Sequence, residues 1–115
     1  MNDDEFKKVL GQRIKHLRQQ NDMTQMDLAK LMGLTSSGII SQFENGERGL
    51  KRENIFKIAQ IFSIEPAVLL ARVEMSEEDL RIHVAFSKLL KNKNKDAKSR
   101  SYFTVIKKLL DENVS

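Results

Sequence analysis

The chain has 115 residues, no cysteine, one proline, five glycines and a formal charge of +4. No apolar run is long enough to cross a bilayer, and a chain without cysteine can hold neither a disulfide framework nor a thiolate metal site. The length fits one domain with at most a small appendage, and the mild basic excess is compatible with a nucleic-acid partner without requiring one. The opening residues are acidic and then amphipathic, the wrong order for a signal peptide, and the absence of cysteine fits the expected cytoplasmic location. Residues 1–71 carry ten basic and nine acidic side chains, and residues 72–115 carry ten and seven. Any basic face in the first part must therefore come from segregation of charge rather than from excess.

In chain order, a first helix is expected from Asn2 or Asp3 to about Gln20. Its start holds Asp3, Asp4 and Glu5, which suit the positive helix end, and Phe6, Val9, Leu10, Ile14 and Leu17 form one apolar stripe. Thr24 caps a second helix to about Met32, with Leu28, Ala29, Leu31 and Met32 on its buried side, and Gly33 closes it. A third helix runs from about Ser36 to Asn45 behind a Thr35 or Ser36 cap, with Ile40 and Phe43 inward and Gly46 as its stop. A fourth turns Ile55, Ile58, Ala59 and Phe62 to the core. Glu65-Pro66 opens a short fifth, whose Val68, Leu69 and Leu70 close that core. Ser76, followed by Glu77, Glu78 and Asp79, starts a sixth helix to about Leu90. Residues 92–98 read as a polar connector, and a seventh helix begins at Ser99 or Ser101, with Phe103, Ile106, Leu109 and Leu110 on one side. The fold class expected is all-α: five helices over residues 1–72 and a two-helix segment over residues 73–115.

Residues 23–46, MTQMDLAKLMGLTSSGIISQFENG, carry the functional signal. Two short helices around a glycine turn can lay one helix in the DNA major groove while the other crosses the backbone. The Thr24-Gln25 opening, the Leu28-Ala29 pair, Gly33, and the Gln42-Phe43-Glu44-Asn45-Gly46 exit resemble the phage Cro/repressor-type helix-turn-helix family, also called XRE-like. The resemblance covers roughly residues 10–70. It implies a repressor-type helix-turn-helix fold and a regulator that binds double-stranded operator DNA as a homodimer. It also implies a structural ion pair between Arg18 and Glu44, tying the first helix to the third.

One departure stands out. Glu44 follows Gly33 by one residue more than the family usually has. Counting back from Glu44, the base-facing positions become Ser37, Gly38, Ser41 and Gln42; counting forward from Gly33, they become Ser36, Ser37 and Ile40. The first count keeps Ile40 and Phe43 inside and is preferred. Ser36, Ser37, Gly38 and Ser41 then offer small groups, with Ile39 exposed for a thymine methyl and Gln42 the one long amide, suited to adenine. Direct readout is expected to be modest, with DNA shape and water contributing. Phosphate contacts are expected at Thr24 and Gln25, where the second helix begins, and at Asn45, Arg48, Lys51 and Arg52.

No phosphate-cradling glycine loop, HExxH pattern or nucleophile motif occurs, so no enzyme, cofactor or metal is expected. His16 and His83 read as ordinary polar helix residues, the methionines as core filler, and the lysines of residues 88–100 as a solvated linker rather than a nucleic-acid arm. The C-terminal segment cannot bury much by itself. Pairing with a second copy would cover Leu80, Val84, Phe86, Leu89, Phe103, Ile106 and Leu110. Its layout resembles helical tails that oligomerise and receive a protein antagonist. An antitoxin that represses its own operon is the alternative function, and a protein-interaction adaptor on the same scaffold is a third.

Overall fold

The computed structural model describes residues 1–92, which form six α-helices: α1 (Asp3–Gln20), α2 (Gln25–Leu31), α3 (Gly38–Glu44), α4 (Arg52–Ile61), α5 (Pro66–Leu70) and α6 (Glu77–Asn92). The expected seventh helix, with Phe103, Ile106, Leu109 and Leu110, lies outside the described residues.

Each start is specified locally. Asn2 accepts from the Glu5 N–H at 2.8 Å and caps α1. Thr24 and Asp27 exchange bonds reciprocally at the head of α2, and Ser76 and Asp79 do the same ahead of α6. These boxes satisfy N–H groups that a helix start leaves without partners. Gly33, after α2, has φ +77°.

The core is built from Leu10, Ile14 and Leu17 of α1, Leu28 and Ala29 of α2, Ile40 and Phe43 of α3, Ile55, Ile58 and Ala59 of α4, and Val68 and Leu69 of α5. It runs past Arg72: Leu80 of α6 is only 4 % exposed and belongs to the same cluster, with Met75 and Val84 packed against it.

Two expected core residues are corrected. Leu31 is 57 % exposed and Leu70 is 41 % exposed. Both sit in the last position of helices of seven and five residues, where the apolar face has already been filled by Leu28, Ala29 and Met32 in one case and by Val68 and Leu69 in the other. Leu80 is corrected as well. Its side chain is spent on the core of its own chain and is not available to a pairing face.

Among the described residues four polar side chains are buried: Arg13, Arg18, Glu44 and Ser87. Arg13 is 4 % exposed. Its guanidinium donates to the carbonyls of Leu69 at 2.9 Å, Ala71 at 2.7 Å and Val73 at 2.7 Å, with a longer contact of 3.4 Å to Val68. It thereby covers the carbonyl groups that the end of α5 leaves open. Burial lowers its pKa from the ordinary guanidinium value, but an arginine remains charged. Ser87 is also buried, and its Oγ accepts from the Glu65 N–H at 2.6 Å, tying α6 to the start of α5.

Candidate nucleic-acid interface

The geometry of α3 is set by its crossing with α1. A Cβ on Gly11 would collide with the Phe43 carbonyl oxygen and approach the Glu44 carbonyl oxygen to 2.7 Å. Only glycine lets the two backbones come this close. Close by, Glu44 is 2 % exposed and receives a two-pronged bond from Arg18: Nε to Oε2 at 2.7 Å and Nη2 to Oε1 at 2.9 Å. The third guanidinium nitrogen, Nη1, donates to the Met23 carbonyl at 2.8 Å. The bond to Glu44 raises the Arg18 pKa, desolvation opposing it. One arginine therefore joins the end of α1, the residue ahead of α2 and the last turn of α3.

Gln25 joins the same cluster. Its Nε2 donates to Glu44 Oε1 at 3.1 Å. Its amide is thus turned inward, against the carboxylate, rather than extended into solvent. The Thr24 hydroxyl accepts from the Asp27 N–H at 3.0 Å, and the Asp27 carboxylate accepts from the Thr24 N–H at 2.8 Å. This leaves the N–H groups of Gln25 and Met26, at the first two positions of α2, without intrahelical partners.

The third helix is shorter at its start than the sequence suggests. It begins at Gly38, and the capping position belongs to Ser37, whose backbone is already helical and whose side chain makes no capping bond. Thr35 and Ser36 precede the helix and are exposed. Four residues, Leu34 to Ser37, therefore separate Gly33 from the first residue of α3. Ile40 is fully buried, as the count from Glu44 expects. Ile39 is corrected: it is half-buried and packs against the core, where exposure was expected. Ser36 and Gly38 are exposed, and Ser37, Ser41 and Gln42 are half-buried.

Past α3 the chain reverses at Gly46, with φ +72°. A Cβ there would meet Lys8 Cγ at 2.8 Å. Asn45 ends the helix and is exposed. The N–H groups of Glu47 and Arg48 both return to the Gln42 carbonyl, at 2.9 and 3.3 Å. Arg48 then sends its side chain to the same residue, Nε to Gln42 Oε1 at 2.8 Å. Lys51 is exposed at the N-cap of α4, and the exposed Arg52 lays its guanidinium 5.3 Å from the centroid of the Phe56 ring. Arg48, Lys51 and Arg52 thus follow one another along the exit from α3.

On α6, Val84, Phe86 and Leu89 are half-buried and Ile82 is exposed. His16 places Nδ1 3.9 Å from Glu77, and its Nε2 is buried without a partner. Sequence reasoning missed Arg13, Gly11 and Ser87. Their shared signal is a non-apolar residue at core spacing, as in Leu10-Arg13-Leu17 and Leu80-Val84-Ser87.

The helix-turn-helix family model matches residues 14–69. Those residues are a helix-turn-helix domain of the XRE type, and they support a DNA-binding regulator. Antitoxin PezA of Streptococcus pneumoniae serotype 4 is similar to the chain, 34 % identical over 56 residues that make up 49 % of this chain and 35 % of that protein. The chain thus spans about a third of the length of the curated relative it matches. No solved structure matches the chain. Among the described residues no helix is long and apolar enough to cross a membrane, and no group of three or more metal-ligating side chains occurs.

Proposed function

We propose that the protein is a sequence-specific DNA-binding transcriptional regulator that represses by occupying operator DNA as a homodimer. The observation that carries this reading is the Arg18–Glu44–Gln25 cluster. It fixes α3 rigidly against α1 while the opposite edge of α3 bears only small or polar groups. Ser36, Ser37, Gly38, Ser41 and Gln42 meet the base edges. Ile39 contributes at most the rim of its side chain. Thr24, Gln25, Asn45, Arg48, Lys51 and Arg52 meet phosphates on either side, with the Gln25 amide leaving Glu44 or sharing it when a phosphate oxygen arrives. One such helix makes few contacts, so a second half-site about one helical turn away supplies the rest. Phe86 and Leu89, with Val84 at the margin and Phe103, Ile106 and Leu110 from the following segment, form the pairing surface.

The experiment is binding of the full chain to its own promoter DNA over a salt series. Each phosphate contact steepens the fall of log K with log salt by about 0.9. A Ser37→Ala/Gln42→Ala variant is expected to lose preference for the promoter while keeping salt-dependent binding to any duplex. Binding that ignores salt, or none, refutes the reading. Sedimentation of the full chain with Ile106→Asp and Leu110→Asp tests the pairing surface, and an unchanged dimer removes it.

A second reading is favoured by the similarity to a protein named an antitoxin: the chain represses its own operon and also binds a toxin through the segment that follows α5. That similarity covers 49 % of this chain. A neighbouring reading frame that is toxic alone, and harmless when expressed with this chain, decides for it.

A further inference from the structure

The bond from Arg48 to Gln42 bears on which base the third helix selects. Its atoms are unambiguous. A guanidinium has five N–H donors and no acceptor, so the amide atom 2.8 Å from Arg48 Nε is the Gln42 carbonyl oxygen. The loop geometry makes this pairing more than a chance surface contact. Gly46 turns the chain against Lys8, and the Glu47 and Arg48 N–H groups are bonded to the Gln42 main-chain carbonyl. The backbone thus delivers Arg48 to the side chain of Gln42.

An isolated glutamine reads adenine with both ends of its amide: Oε1 accepts from N6 and Nε2 donates to N7. Here Oε1 is already engaged by a cation. Its second lone pair stays open, but a base donor there would stand beside the guanidinium charge, which favours base acceptors over the adenine amino group. What remains for a base is donors alone: two N–H groups on Gln42 Nε2 and four on the Arg48 terminal nitrogens. Guanine presents the complement in the major groove, two adjacent acceptors at N7 and O6, and a positive charge beside them is favourable. Thymine offers one acceptor and a methyl group.

We infer that Gln42 and Arg48 form a single donor-only reading unit that selects guanine, with Arg48 acting as the positioning residue that turns Gln42 away from adenine. This rests on the proposed DNA-binding reading and names the specificity of that site, with Arg48 moved from the phosphate contacts to the base-reading ones. It also replaces the adenine preference expected for Gln42 alone.

The test is selection from a random duplex library by the full chain, by Arg48→Ala and by Gln42→Ala, with thermal melting to check that these surface variants fold. The native chain is expected to enrich guanine over adenine by about tenfold at one position of each half-site. Gln42→Ala erases the preference at that position alone. Arg48→Ala frees Oε1 and shifts the same position toward adenine. Enrichment of adenine by the native chain, unchanged in Arg48→Ala, overturns the inference and leaves the DNA-binding reading standing. So does an Arg48→Ala variant that binds all sequences more weakly with its base preference intact, since that is the behaviour of a phosphate contact. Enrichment of no sequence by the native chain overturns the DNA-binding reading, and the inference with it.

Discussion

Two buried arginines on α1, five residues apart, hold the two halves of this molecule by different chemistry. Arg18 meets a carboxylate, in a two-pronged bond that orients both planes and ties α3 to the end of α1. Arg13 meets only main-chain carbonyls, gathering the end of α5 and the stretch of chain that leads to α6. The first attachment specifies the direction of a helix. The second merely keeps a chain end in place. If α3 reads DNA as proposed, it must present the same edge at every site, whereas α5 and α6 need only stay packed, and the choice of partner fits that need.

The largest expected effect comes from breaking the first attachment. Glu44→Ala leaves Arg18 buried without its counter-charge and is expected to cost about 3–5 kcal/mol, read from urea unfolding. It also frees the Gln25 amide and loosens α3 against α1. Specific DNA binding should then fall further than non-specific binding. A cost below about 1 kcal/mol would mean that the close helix crossing at Gly11, rather than the ion pair, sets the angle.

Breaking the second attachment should cost less and act elsewhere. Arg13→Met keeps the apolar stem and removes the donors. The Leu69 carbonyl loses its partner inside the protein, while those of Ala71 and Val73 sit nearer the surface, where water can replace the guanidinium. A loss of about 1.5–3 kcal/mol is expected. Amide hydrogen exchange should show α5 and α6 opening while α2 and α3 keep their protection. Loss of protection across α2 and α3 to the same degree would show that the two arginines do not divide the molecule.

The sequence makes one of these arginines legible and hides the other. Arg18 and Glu44 stand at positions that a helix-turn-helix pattern flanks with recognisable residues, so the pattern alone is enough to pair them. Arg13 has no carboxylate partner to find, and main-chain carbonyls leave no trace in composition. The helices themselves are legible from their caps and stripes: Asn2, Thr24 with Asp27, Ser76 with Asp79. Leu31 and Leu70 mislead because hydrophobicity counts them as core while the last position of a short helix turns them outward. The start of α3 is hard to place because Thr35, Ser36 and Ser37 are equally good caps by type, and the one at the capping position, Ser37, makes no capping bond. Gln42 shows the same limit at the candidate interface: its residue type points to adenine, and the partner its side chain bonds, Arg48, is brought to it by a turn.

The smallest effect sharpens the comparison through pH. At the head of α2, bonds from the Thr24 backbone N–H and then from its hydroxyl group hold the Asp27 carboxyl below the usual carboxylate range. A carboxyl whose folded pKa lies below its unfolded one contributes stability that is fully present above the unfolded value, about 3.9. That contribution is lost as pH falls through the lower folded value. Arg13 offers no such dependence, because its acceptors are carbonyls that take up no proton in this range. Acid should therefore release the first turn of α2 through Asp27 without acting through the tie between α1 and α5. Carbon-13 titration of the Asp27 carboxyl checks the direction, and Thr24→Ala should move its pKa up toward the ordinary value. Exchange at the Asp27 amide should rise as the carboxyl protonates, while the Arg13 guanidinium signals stay in place. If the Arg13 signals shift with the same midpoint as Asp27, the two halves are coupled through α1 and the division between them fails.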